Sequence, residues 1–524
     1  FFFGTMESIL VASQNSVVMS LRTLFTDIFK GSKTKGAVCG MLALVIYEQV
    51  KNWRATRGMF GPKWTVPFIG GIIEMVRNPY GFWDRQKEWS QAHPFKTSWN
   101  SIVGKLVIFV TDPNQIKYVL SRNNPEEFST QLHPSAKTIL GDGNIAFRHG
   151  PYHKALRRSF LDLFTRKSLS TYVVKQDCII REILKELGTI KEPTEIRNIM
   201  RMTNLQTSQT VFADPYLGTA EDRQKFSDAY LAMTEGFLSI PICLPGTGVW
   251  KAREGRKYIV KTLTKCCTMA LEAAEAGKEP TCVLDFWVRS CQKAVAQAKA
   301  DGEEGEILLM TEPHRMADVM MDFLFASQDA TSAALTWVVS LMADHPDIYQ
   351  RVREEQLRVR GDDLDRPIDG DMLENMEFTR QCIKELLRYR PVAPMLIEES
   401  GSKQEIPGCP FKIPKGAWLT CSLVGACEIG FTDPHTYNPD RWNKGSPDLA
   451  VGSKNWIPFG TGAHACPGRE YAQNQLATFL ALMATTFDLK RTTTSKSGQY
   501  TYLPTLYPED CLMQFFPRAT ATAA

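Results

Sequence analysis

Phe459-Gly460-Thr461-Gly462-Ala463-His464-Ala465-Cys466-Pro467-Gly468 is the stretch on which the reading of this chain turns. A single cysteine stands in a glycine-flanked loop, directly before a helical pattern that runs from Arg469 to Thr486. The free N–H groups and the positive end of a helix favour a thiolate over a thiol, so the spacing predicts a lowered pKa for Cys466. A thiolate in such a place is a soft, electron-donating ligand of the kind that holds a haem iron axially. Gly462 and Gly468 would let the backbone approach a flat macrocycle closely. Phe459 would pack beside the sulfur and limit water access, and His464 is placed to meet a propionate. The competing reading is an ordinary buried thiol. Against it, the phenylalanine, both glycines and the basic residue all stand at fixed offsets from one cysteine.

Those offsets resemble the haem-binding loop of the cytochrome P-450 superfamily, with Phe459, Gly462, His464, Cys466 and Gly468 at its positions. Further elements occur in the matching order. Glu385-Leu386-Leu387-Arg388 sets opposite charges three apart on one helical face. Taken alone this is a routine surface pair worth under about 1 kcal/mol, but it resembles the family's Glu-x-x-Arg element. Pro439-Asp440-Arg441-Trp442 resembles the meander that follows. The resemblance implies a buried Glu385–Arg388–Arg441 network, whose value lies in fixing the cysteine-bearing core more than in raw stability. Upstream, His153-Lys154-Ala155-Leu156-Arg157-Arg158 resembles the helix that contacts a haem propionate. His153 stands where the family usually has tryptophan, and Arg157 keeps the charge partner. Phe325-Ala326-Ser327-Gln328-Asp329-Ala330-Thr331 resembles the oxygen-activating segment. Asp329 takes the acid position, Ser327 replaces a glycine, Ala330 replaces the first threonine and Thr331 takes the second. One helical step turns a side chain by about 100°, so the proton route stays open among Asp329, Thr331 and ordered water.

The rest of the chain fits one large enzyme. It has 524 residues, 44% hydrophobic and 23% charged, enough to bury a large core. A formal net charge of +4 from 61 basic and 57 acidic residues is too balanced for a nucleic-acid partner. The 13 cysteines show no metal-finger spacing and read as mostly reduced, buried thiols. Helices are expected over 174–187, 223–237 and, longest, 311–344, where Thr311 is a plausible N-cap, Pro313 sits in the first turn and His345-Pro346 ends the helix. Residues 107–110 read as a strand, and 411–419 as a hairpin about Pro414-Lys415-Gly416. The uncharged run 36–47 is flanked by Lys30, Lys33, Lys35, Lys51, Arg54 and Arg57. Twelve helical residues rise about 18 Å, short of the roughly 30 Å hydrocarbon core. The run is therefore either a buried segment or a short, tilted or interfacial anchor. The stiff connector 61–67 follows, with two prolines. The expected organisation is a basic segment and short membrane anchor in 1–60 and a catalytic domain in 61–524. The expected fold class, implied by the resemblance, is mainly α with small β-sheets: the cytochrome P-450 fold, a single large haem domain behind an N-terminal membrane anchor.

Two departures from the superfamily pattern agree with one subgroup. The segment 322–332, the stretch 153–170 with its histidine, and the runs 469–476 and 485–491 resemble the sterol C-22 desaturases of fungi, plants and algae. That resemblance implies removal of hydrogen from C-22 and C-23 of a sterol side chain, with haem b (iron-protoporphyrin IX) as the cofactor. It also implies electrons from NADPH through a cytochrome P-450 reductase, with cytochrome b5 as a second candidate donor, and an endoplasmic reticulum membrane location with the catalytic domain cytosolic. The catalytic candidates are Asp329 and Thr331. The cofactor candidates are Cys466, as axial iron ligand, with His464, Phe459, Gly462, Gly468, Arg157 and His153. A long apolar slot is required, and Phe325, Ala326, Ala330, Val392 and Ala393 are candidates to line it. Pro394, Met395, Tyr502 and Leu503 are others; for each, plain core packing is the alternative. Rival readings are a sterol or fatty-acid hydroxylase of the same superfamily, a reductase-independent hydroperoxide isomerase or dehydratase, and a haem carrier or sensor without activity.

Overall fold

The computed structural model describes residues 32–132, 135–239, 241–361, 363–502 and 505–518; most of the basic N-terminal segment, and Leu503 of the expected slot, lie outside the described residues. In chain order the main helices are α1 (Ser32–Thr56), α2 (Pro79–Ala92), α3 (Pro113–Ser121), α4 (Gly150–Ser159), α5 (Arg166–Leu187), α6 (Arg197–Ala213), α7 (Ala220–Glu235), α8 (Gly248–Glu275), α9 (Val283–Ala300), α10 (Pro313–Asp344), α11 (Pro346–Arg360), α12 (Glu377–Tyr389) and α13 (Arg469–Thr486). The expected helices at 174–187 and 223–237 fall in α5 and α7, the second closing in a 3₁₀ turn, Gly236–Leu238.

α10 organises the core. A proline pushes the residue before it out of the helical region, so Glu312, at ψ 123°, is the N-cap and Thr311 is not. From Thr331 to Met342 the helix is buried on every side, as an apolar helix at a domain centre must be. It packs on α6, α8 and α13. One apolar cluster joins Trp337 and Val338 of α10 to Leu386 of α12 and Phe479 and Leu480 of α13. A second joins Met320 and Leu324 to Ile259 and Leu263 of α8 and Trp287 of α9.

A smaller sheet flanks this bundle. Its strands are β1 (Thr97–Ile102), β2 (Lys105–Val110), β3 (Phe128–Gln131), β4 (Met395–Ser400) and β5 (Trp418–Ser422). They are ordered β1-β2-β5-β4-β3, with β2 and β5 parallel and the remaining pairs antiparallel. Ile108 and Val110 of β2, Leu419 of β5, and Ile116 and Val119 of α3 form a third core. The expected hairpin at 411–419 does not form. Pro414-Lys415-Gly416 does turn the chain, with Gly416 at φ 78°. Both edges of β5, however, are taken by β2 and β4, and Lys412–Ile413 pairs with Gln404–Glu405 instead.

The apolar run 36–47 lies inside α1, which continues past Lys51 and Arg54. Among the described residues no helix is long and apolar enough to cross a membrane. The end of α1 is tied to the body: Glu48 accepts the Phe68 N–H at 2.9 Å, and Gln49 donates to the Thr65 carbonyl at 2.8 Å.

Candidate active site

The cysteine loop is wound on itself ahead of α13. The Cys466 N–H donates to the Phe459 carbonyl at 2.9 Å, and the Ala465 N–H to the Gly462 carbonyl at 3.2 Å. Such a tight path needs positive φ at Gly460 (66°) and Gly462 (78°). Gly462 also abuts the end of α3, where an added Cβ would stand 2.4 Å from the Leu120 carbonyl oxygen. Gly468 is different: its φ is −83°, and an added Cβ would meet nothing within 4 Å. No described protein atom requires glycine there, and its N–H serves the Cys466 sulfur instead. Phe459 meets Trp456 edge-on at 5.8 Å, and the Trp456 indole donates to the Lys384 carbonyl at 3.1 Å, which ties the loop to α12.

The Cys466 side chain is accessible, yet its sulfur lies deep in the fold, so it faces an interior space and not bulk water. Burial pushes its thiol up, against the lowering effect of the Gly468 N–H and of Arg157 and Arg469. The lowered pKa expected from the helix terminus is therefore reversed, because desolvation outweighs it. Without a cationic partner the loop holds a neutral thiol, and a metal cation would make the thiolate the favoured form.

Three imidazoles gather beside this loop. His153 of α4 stacks on His464 at 4.3 Å with an interplanar angle of 16°, and His149 lies 5.3 Å from His464. Burial first, and neighbouring charge second, lowers His153 and His464 to about 4, so both rings are neutral at ordinary pH and each keeps one N–H to donate. Burial also lowers His149. The Arg157 guanidinium donates to the Ala465 carbonyl at 2.7 Å. Nε2 of His153 and Nδ1 of His149 are sealed from solvent with no hydrogen-bond partner among the described residues. Unpaired buried donors are costly and call for an explanation. Donors collected beside a soft thiol fit a metal macrocycle with pendant carboxylates. His149 is the member the sequence reading missed, since it precedes the Gly150-Pro151 helix start and belongs to no quoted motif.

On α10 the candidates point different ways. Asp329 pairs with Arg201 of α6 at 3.5 Å, and burial raises its carboxyl while Arg201 lowers it. Thr331, two residues on and about 200° around the helix, is buried and makes no hydrogen bond to a described residue. Asp329 and Thr331 therefore do not form one cluster. Ala326 is exposed and Ala330 half-buried, directly before the fully buried stretch that begins at Thr331, so this face opens on interior space. Phe325 instead stacks on Phe237 at 5.2 Å. A buried amide relay, also missed, secures the segment. Gln475 of α13 donates to Asn204 of α6 at 2.9 Å, and Asn204 donates to the carbonyls of Ser327 and Gln328 at 3.0 and 2.9 Å.

The expected charge network is present and larger than the motifs implied. Glu385 receives Arg388 through two contacts of 2.9 Å and Arg441 through one of 2.9 Å. The Trp442 indole and the Asn438 N–H add to it at 3.2 and 3.1 Å, and Asp448 takes the far side of Arg441.

The expected slot residues divide. Val392 and Met395 pack on the α10/α13 core and Ala393 on the sheet core, all half-buried, while Pro394 is buried with its carbonyl accepting the N–H groups of Leu423 and Val424. Tyr502 does not belong to the slot. It is 3% exposed, packs near Trp83, and donates to Asp84 of α2 at 3.1 Å, a hydroxyl satisfied in the core.

Comparison with known proteins agrees with this geometry. The family model for cytochrome P-450 matches residues 61–502. The chain is 33% identical to cytochrome P-450 710A4 of Arabidopsis thaliana over 496 residues, covering 94% of this chain and 98% of the relative. It is 30% identical to the C-22 sterol desaturase erg5 of Aspergillus fumigatus over 497 residues, 89% of this chain and 91% of the relative. It is 28% identical to the C-22 sterol desaturase ERG5B of Gibberella zeae, with 94% of each chain covered. Among solved structures, a cyanobacterial protein with retinoic acid bound superposes with a TM-score of 0.71 at 21% identity, over 88% of this chain and 98% of that one. By its cysteine loop, its buried Glu385 network and this match, the chain belongs to the cytochrome P-450 family, whose members are haem-dependent monooxygenases supplied with electrons by a redox partner.

Proposed function

We propose that the protein introduces a double bond between C-22 and C-23 of a sterol side chain. The reaction balances as R–CH₂–CH₂–R′ + O₂ + NADPH + H⁺ giving R–CH=CH–R′ + 2 H₂O + NADP⁺. A reductase delivers the two electrons, and cytochrome b5 is a second candidate donor. The observation that carries this reading is the similarity, over about nine-tenths of the chain, to proteins named C-22 sterol desaturases.

Cys466 would hold the iron of haem b, and His149, His153, His464 and Arg157 would receive its propionates. When bound, the haem supplies the oxygen activation and hydrogen abstraction that no side chain can perform. The chain does the rest. The small side chains of Ala326 and Ala330 leave room for a narrow saturated chain beside α10, where two neighbouring carbons must be held within about 3–3.5 Å of the reacting centre. Asp329 holds a proton more readily than an exposed carboxylate because it is buried, and Arg201 keeps it in place. The Thr331 hydroxyl, unclaimed by described protein groups, is the second proton-handling group.

We infer also that the chain sits at the endoplasmic reticulum membrane, with its catalytic domain on the cytosolic side. Support comes from a run of exposed apolar side chains that begins with Met41, Leu42, Ile46 and Trp53 on α1 and continues through Trp64 and Phe68. Exposed Lys51, Arg54, Arg57 and Lys63 border it. Such a patch, rimmed with basic residues, suits an interfacial helix.

The test is product analysis. Purified protein with a microsomal reductase and NADPH is given a panel of side-chain-saturated sterols. Loss of two hydrogens at C-22/C-23, dependent on NADPH and oxygen, is expected. A gain of one oxygen would make the protein a hydroxylase, and no turnover with any sterol would overturn the substrate class.

A further inference from the structure

One buried carboxyl group is used by none of the chemistry above. Asp322 of α10 is 5% exposed and precedes Ala326 by four residues and Ala330 by eight, which puts it on the same face of the helix as those two alanines. Both of its oxygens accept hydrogen bonds from one segment of chain, 141–149, which links the helical turn Ala136–Leu140 to α4. The Ile145 N–H reaches Oδ2 at 2.9 Å, and the side-chain amide of Asn144, itself buried, reaches Oδ1. The Asn144 carbonyl oxygen meanwhile accepts the Ala146 N–H at 2.9 Å and so starts the turn Ile145–Phe147.

The segment is fastened elsewhere too. Upstream, Arg256 of α8 donates to the Leu140 carbonyl at 2.9 Å and to Asp318 at 2.6 Å, and Gly141 turns the chain at φ 91°, a conformation that favours glycine. Downstream the segment ends in His149, 5.3 Å from His464. It therefore runs as a strap from the open face of α10 to the imidazoles beside Cys466. Between its ends, the hydrogen bonds that tie residues 142–147 to a buried group on another element among the described residues are those to Asp322.

We propose that Asp322 and Asn144 form a latch, a positioning pair that holds the strap 141–149 against the open face of α10 and governs how readily small molecules reach the interior space beside Cys466. The pair is specific in its polarity. Burial pushes the Asp322 carboxyl up to about 8, against the lowering effect of the Ile145 N–H and the Asn144 amide; both of its oxygens are nonetheless placed as acceptors, and Asn144 has one donor group left for them once its oxygen has capped the turn. An amide at 322 would offer one acceptor to two donors, so its own NH₂ would face either the Asn144 amide or the Ile145 N–H. The inference rests on family membership and not on the sterol reading, so the two fail separately.

The test uses the full-length holoenzyme and three variants: Asp322→Ala, Asp322→Asn, and the reciprocal double exchange Asn144→Asp with Asp322→Asn. Hydrogen exchange reads the amides of Ile145 and Ala146, and stopped-flow absorbance reads the entry of 4-phenylimidazole. Loss of this buried pair is expected to speed exchange at these amides by about tenfold and to raise the azole association rate several-fold, with exchange in α12 unchanged. In the reciprocal variant donor and acceptor merely change ends, while both backbone N–H groups still find an oxygen. Both rates should return to within about twofold of the parent. Should Asp322→Ala fail to fold, the isosteric Asp322→Asn and the reciprocal pair decide the matter. Unchanged exchange in Asp322→Asn, or a reciprocal variant as fast as the single one, would overturn the latch. Faster exchange with unchanged azole entry would equally overturn it, because the strap would then not stand in the path.

Discussion

Around Glu385, five donors from Arg388, Arg441, Trp442 and the Asn438 backbone converge on one carboxylate, and Asp448 takes the remaining side of Arg441. Around Cys466, three histidines and Arg157 lie close together, and one ring nitrogen each of His153 and His149 has no partner among the described residues. Both regions are buried and rich in donors. The first is closed, with every charge answered from within the chain. The second is open, with donors waiting on a group the chain does not supply. A saturated buried network fixes structure, whereas an unsaturated one beside a reactive atom marks a binding site.

Breaking the closed region should have the larger effect on folding. Glu385→Gln keeps the volume but leaves Arg388 buried without a counter-charge, and should cost about 3–5 kcal/mol. Chemical denaturation would read this as a lower midpoint with the slope unchanged, accompanied by loss of the cofactor because α12 and the cysteine loop are joined through Trp456 and Lys384. In the open region the same kind of change should do the reverse. His153→Ala removes a donor with an unpaired nitrogen, so the apo-protein should be destabilised by less than about 1 kcal/mol, while haem dissociation speeds up by roughly tenfold for one lost hydrogen bond. Haem transfer to apomyoglobin measures that rate. A large fall in apo-stability with unchanged haem release would erase the distinction.

The pH dependence sharpens the comparison. His153 is held at about 4 by burial, below its unfolded value, so its stabilising contribution is complete above about pH 6.5. It is lost as pH falls from there toward 4, because the unfolded chain takes up a proton that the folded chain refuses. His153→Phe should flatten the stability profile of the apo-protein across that window. The smallest effect belongs to Tyr502. Its hydroxyl serves Asp84 and not the slot, so Tyr502→Phe should cost about 1 kcal/mol in stability and leave the ratio of products unchanged.

Much of this was legible in the sequence, for a physical reason. Motifs show where neighbours in sequence share one task, as in 459–468 and 385–388. The long helix was legible because its apolar run and flanking prolines are local. What could not be read depends on contacts between distant segments. His149 joins His464 across more than 300 residues, Asn144 meets Asp322 across 178, and Asp448 acquires meaning only once Arg441 turns toward it. The thiol at 466 shows a local rule being overruled: burial raises its pKa by more than the Gly468 N–H, Arg157 and Arg469 lower it. Tyr502 shows that an aromatic near an expected slot can be claimed by the core on the other side, in this case Trp83 and Asp84.

The central claim is that the unsaturated region beside Cys466 is the haem site and that Cys466 supplies its thiolate. The most direct measurement is the carbon monoxide difference spectrum of the reduced, purified protein beside its Cys466→Ala and His153→Ala variants at matched protein concentration. The account predicts a thiolate-type band for the parent, the same band at lower occupancy for His153→Ala, and no such band for Cys466→Ala. A thiolate-type band that survives in Cys466→Ala would contradict it.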